Sequence, residues 1–121
     1  MTGAPRERTA VVLAAHGSRH DPAANARVER QAAALAKSGA ADGVVAAFHQ
    51  GSPGFAEVLD ELAAERVLVV PFFTSEGYYT EDVLPRSLRR NRRYPDLRIR
   101  QTRPIGVHHG IVEIAARRAA A

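Results

Sequence analysis

The feature that most constrains this chain is a repeated exchange of one periodicity for another. Thr9 to Ala15, Gly43 to His49 and Arg66 to Phe73 are short apolar runs without polar alternation, the pattern of strands buried on both faces. Helical segments come between them. Asp21-Pro22 offers a cap and a first-turn proline, Val28, Ala32 and Leu35 recur at helical spacing, and Ser38-Gly39 ends the segment. Ser52-Pro53 predicts a second helix with Phe55, Val58, Leu59 and Leu62 on one face. Thr80 predicts the cap of a third, running to about Asn91 with Glu81 and Asp82 in its first turn, although Pro85 falls inside it. Tyr94-Pro95-Asp96 reads as a turn, Leu97 to Arg103 as a fourth strand, and His108 to Ala119 as a final helix. Four such exchanges with short connections predict an α/β fold. The expectation is a single three-layer domain over residues 1–121, with a four-stranded parallel sheet, helices on both faces, and residues 1–8 as a flexible arm.

At 121 residues, one hydrophobic core is the expected size. There is no cysteine, so disulfides, thiolate nucleophiles and cysteine zinc sites are excluded, and metal ligands must come from His, Asp, Glu or Tyr. The polar amino terminus lacks the apolar stretch of a signal peptide, and no segment approaches the ~20 apolar residues of a membrane span. A cytoplasmic protein without a membrane partner is the expectation. The net charge of +4 is carried almost wholly by arginine, and eight arginines fall between Arg86 and Arg103. A solvated helix face accounts for such a cluster. So does a cationic wall for a polyanion, because a guanidinium pairs carboxylate or phosphate through two bonds. Nucleic acid is not expected as a partner, since no interleaved aromatics or binding motif accompany the arginines.

In open parallel sheets ligands bind beyond the carboxyl ends of the strands. Those ends are His16 to His20, His49 to Ser52, Thr74 to Thr80 and Gly106 to His109, and they hold all five histidines of the chain. His16 follows a buried strand directly, and Gly17 permits a tight turn there. An imidazole presented at the strand tip, with amides before the next helix able to meet an anion, is the favoured reading of His16 over a turn-tying histidine; a phosphohistidine-type site is disfavoured, because Ala15 stands where that site needs arginine. His20, His49 and His108/His109 read more simply as turn or packing residues. The third connection, Thr74 to Asp82, joins carboxylates at Glu76, Glu81 and Asp82 to Tyr78, Tyr79 and Gly77. Its tyrosines suit a flat ligand.

Five segments in order resemble the small sirohydrochlorin chelatases. They are Val11 to Arg19, Ala47 to Pro53, Val67 to Gly77, Glu81 to Pro85 and Pro104 to His108. The resemblance implies half of a chelatase-type fold, a homodimer, and insertion of Co²⁺ or Fe²⁺ (Ni²⁺ is also accommodated) into a tetrapyrrole. The metal is then a substrate, and no organic cofactor is implied. It makes His16 a metal ligand and general base; Glu76, Glu81 and His108 are the residues left to complete the site, with Glu76 expected as second ligand and Glu81 as proton acceptor. Ser18, Arg19, Ser75, Gly77, Tyr78 and Tyr79 would contact the macrocycle. This sequence departs from the family at one point: the second histidine expected after the third connection's glycine is replaced by Tyr78 or Tyr79. A non-catalytic metal- or tetrapyrrole-binding relative fits that departure as well. An anion-binding α/β module does not, because it would need a phosphate loop that the chain lacks.

Overall fold

The computed structural model describes residues 7–108 together with 110, 116 and 117. Its centre is one sheet of four parallel strands in the order β2-β1-β3-β4. These are β1 (Thr9–Gly17), β2 (Gly43–Gln50), β3 (Arg66–Pro71) and β4 (Arg98–Gln101). The two inner strands carry the apolar runs, and Val12, Ala14 and Val69 are completely buried. β4 lies at the edge, alternating exposed Arg98 and Arg100 with half-buried Ile99 and Gln101. Charged residues on an edge strand discourage pairing with another chain.

Side-chain parity divides the sheet into two cores. Val11, Leu13, Ala15, Ala46 and Phe48 face helix α1 (Pro22–Lys37), which contributes Val28, Ala32 and Leu35. Asp21 caps α1 by accepting from the Ala23 amide. Ala10, Val12, Ala14, Ala47, Val67 and Val69 face the other way, toward Phe55, Val58, Leu59, Leu62, Leu84 and Leu88. Each completely buried leucine or phenylalanine contributes about 1.5–3 kcal/mol. Helical layers therefore cover both faces, as the sequence predicts. Because β1 connects to β2 across one face and the chain then returns past β1 to β3 across the other, the switch in strand order falls between β1 and β3. A crevice opens at such a point, beyond the strands' carboxyl ends.

Three expectations are corrected. The helix predicted from Ser52-Pro53 is reduced to a 3₁₀ turn, Val58–Glu61. Residues 51–54 instead fold back on β2, where the Phe48 amide donates to the Pro53 carbonyl at 2.9 Å and Phe48 bridges Gly54. The apolar residues of that segment are buried all the same. Thr80 does not cap a helix: it lies inside a π turn, Tyr79–Val83, that runs into helix α2 (Leu84–Arg89). The wider turn frees a carbonyl, and Gln101 Nε2 donates to Thr80 O at 2.6 Å. The fourth strand is shorter than Leu97 to Arg103.

The predicted final helix lies mostly outside the described residues, as do residues 1–6 of the expected arm. Glu7 and Arg8 are tied down: Glu7 pairs with Arg98, and the Arg8 amide donates to Glu65 Oε2 at 2.8 Å. Among the described residues no helix is long and apolar enough to cross a membrane.

Candidate functional site

Strand register brings the site together. Ala15 pairs with Phe48 and Gly17 with Gln50, so His16 and His49 stand side by side at the tips of β1 and β2. Both share the parity of Ala14 and Ala47, which points them to the face covered by the π turn. Gly17 holds φ +73° there, and a Cβ on it would lie 2.6 Å from the Gln50 carbonyl oxygen. Only glycine fits that turn without strain. Asn25 of α1 braces the same two tips, accepting from the Ser18 amide at 2.8 Å and donating to Gln50 O at 3.2 Å.

The π turn supplies the third ring. The ring centroid of Tyr79 lies 4.9 Å from that of His16 and 5.2 Å from that of His49, while the two imidazoles are 5.3 Å apart. Phe73 stacks behind Tyr79, and Phe55 lies behind His49. Tyr78 packs on Tyr79 by its edge and is 64% exposed.

The donor set has a defined polarity. His16 Nδ1 lies 3.0 Å from the Gly17 carbonyl, which can only accept, so Nδ1 carries the proton of that bond. In the neutral ring Nε2 then keeps its lone pair. His49 is held below the ordinary histidine value, first by burial and then by the neighbouring His16 and Arg19 charges. Both effects favour a neutral imidazole, the form that binds a metal or takes a proton.

A cleft of about 760 Å³ opens beside these rings. It is lined by His49, Tyr78 and Tyr79, by residues 51–57, and by Arg19, Arg86, Ser87 and Arg90.

The other candidates from the sequence make contacts of their own. Ser18 Oγ accepts from the His20 and Asp21 amides and so shapes the turn. The Gly77 amide donates to Thr80 Oγ1 and its carbonyl accepts from the Glu81 amide, which starts the π turn. Glu76 pairs with Arg103 at 2.8 Å. Ser75 and Glu81 are exposed, and neither has a described contact with His16. His108 Nδ1 accepts from the Gly110 amide. Among the described residues no three His, Asp or Glu side chains form a metal-sized group.

His49 is the residue that sequence reasoning passed over. The available signal was its place at a strand end, with the same parity as His16 relative to the buried residues before it.

Known proteins share both fold and sequence with this chain. The CbiX family model matches residues 10–121. A Halobacterium salinarum protein named "probable sirohydrochlorin cobaltochelatase" is 42% identical over 87 residues, which cover 72% of this chain and 30% of that protein. The chain thus spans less than a third of that relative. A Deinococcus radiodurans protein, described as a multi-domain protein with structural similarity to chelatases and two additional novel domains, superposes with a TM-score of 0.85 at 34% identity. That match covers 95% of this chain and 28% of the Deinococcus protein. The cobalt complex of the sirohydrochlorin chelatase SirB from Bacillus subtilis superposes with a TM-score of 0.64 at 23% identity, over 93% of this chain and 50% of SirB. At that identity the likeness is one of fold.

Proposed function

The chain belongs to the CbiX family, and we propose on that premise that it inserts a divalent metal, cobalt or iron, into sirohydrochlorin at the His16, His49 and Tyr79 cluster. The observation that carries this reading is the convergence of two imidazoles and a phenol beyond the carboxyl ends of β1 and β2, next to a cleft large enough for a flat ligand. Insertion requires the incoming ion to shed water, the two pyrrole N–H protons to leave, and the ring to be held within reach. Imidazole nitrogen suits Co²⁺, Fe²⁺ and Ni²⁺. In this reading His16 Nε2 receives the ion, and His49 supplies the second nitrogen in place of Glu76, whose carboxylate Arg103 engages. Each imidazole can also accept a pyrrole proton once the ion has passed to the macrocycle. Tyr79 borders the ring, and Tyr78 offers it an open aromatic face. Glu81 is retained as a proton acceptor outside the cluster.

Two copies of the chain complete the enzyme in this proposal. The support is the match to half of SirB. The second copy would close the open side of the cleft.

The test is metal insertion followed by the absorbance of sirohydrochlorin with Co²⁺ or Fe²⁺. Wild type should turn over. His16→Ala and His49→Ala should each lower the rate by about 10²–10⁴-fold, the range for loss of a group acting in proton transfer. A His16→Ala enzyme at full rate would remove His16 from the chemistry. Binding of metal and tetrapyrrole without any turnover would overturn the enzymatic reading.

A further inference from the structure

The arginines between Arg86 and Arg103 do not form one wall. Arg93 Nη1 donates to the Leu59 and Leu62 carbonyls and ties off the 3₁₀ turn. Arg98 pairs with Glu7, and Arg103 with Glu76. Arg86 and Arg90 are different: both line the cleft that holds His49 and Tyr79. Four residues apart on α2 and its carboxyl end, their stems stand about 5–6 Å from each other on one face. Arg90 Nη2 donates to the Ser87 hydroxyl at 3.3 Å, and Arg86 pairs with Asp82 at 3.1 Å across exposed surface.

The same cleft also carries the other sign: Glu57 and Glu61 line it too, and the Glu57 carboxylate folds back over Gly54, with Oε2 2.6 Å from the place a Cβ would take. A ligand bearing carboxylates on its rim is therefore attracted by the two guanidiniums and repelled by the two carboxylates.

We infer that Arg86 and Arg90 determine specificity in this cleft, selecting a planar macrocycle by its peripheral carboxylates, with Asp82 holding Arg86 in place until a substrate carboxylate displaces it. The inference rests on the metal-insertion reading only for the identity of the macrocycle. An exposed pair such as Arg86–Asp82 is worth little on its own, so the exchange is nearly free. A guanidinium–carboxylate pair in a partly closed cleft is worth more.

The experiment titrates the intact protein with two porphyrins, followed by absorbance: an octacarboxylate (uroporphyrin) and a dicarboxylate (deuteroporphyrin). The Arg86→Gln/Arg90→Gln double variant should bind uroporphyrin about 30-fold more weakly, at roughly 1.4 kcal/mol per tenfold, and deuteroporphyrin within about threefold of wild type. Asp82→Asn should tighten uroporphyrin a few-fold, because it removes the competing carboxylate. With sirohydrochlorin the double variant should raise KM and keep kcat, the sign of binding shared by ground and transition states. Unchanged uroporphyrin affinity in the double variant, equal loss of both porphyrins, or no porphyrin binding by wild type overturns the inference. Selective, arginine-dependent binding by a wild type that inserts no metal upholds it and overturns the metal-insertion reading instead.

Discussion

At the scale of the residue, the site is defined by the state in which each ring is held. His16 bonds to its own turn, whereas the His49 pKa is lowered by its surroundings, burial first and nearby positive charge second. That has a consequence for stability. The folded chain resists protonating His49, so below the ordinary histidine value of 6.5 the unfolded chain binds more protons. The stability contributed by the neutral ring is complete above that value and is lost as pH falls through the lower, folded value. Urea midpoints measured from pH 7 down to pH 5 should therefore fall, and His49→Gln should flatten that slope. An identical slope in the variant would show that another group is responsible. Metal affinity should weaken over the same interval, because protons compete for the imidazole nitrogens. His16 was legible in the sequence because a histidine after a buried strand has one place to go. His49 was not, since its value depends on a neighbour that only strand pairing supplies.

At the scale of the element, the decisive pieces are a turn and a π bulge. The end of β1 lies against the end of β2 at Gly17, where a side chain would meet the Gln50 backbone. Gly17→Ala should destabilise the fold by about 1–3 kcal/mol from the backbone conformation alone, with more from the clash. Chemical denaturation measures this, and an unshifted midpoint would contradict the turn as described. The π turn follows the same logic on the opposite side. Thr80 looked like a cap because it precedes two acids and a proline, yet its hydroxyl bonds back to Gly77 and the helical segment is capped at Tyr78, two residues earlier. That shift of register turns Tyr79, and not Tyr78, toward His16. Local preferences could not reveal it, because Gln101 of β4 satisfies the carbonyl that the π turn leaves open.

At the scale of the molecule, the described residues form one layered unit with a cleft beyond its strand ends. If two copies complete that cleft, as proposed, specific activity should fall when the protein is diluted through its dimer dissociation range, and sedimentation should show the matching change in mass. Constant specific activity from a monomer would show that one copy suffices. The α/β class, the parallel sheet and the covering of both faces were determined by the sequence itself, because buried strands and amphipathic helices write their periodicity into consecutive residues. So was the placing of His16 and His49 at strand ends. The tertiary structure alone decided which strand ends meet. The order β2-β1-β3-β4 and its register set His16 beside His49, bring Tyr79 over both, and leave two arginines of the carboxyl-terminal cluster facing the cleft while Arg93, Arg98 and Arg103 make other contacts. The physical reason is that a residue's partners across a sheet or a cleft lie tens of positions away, and no local pattern encodes that distance.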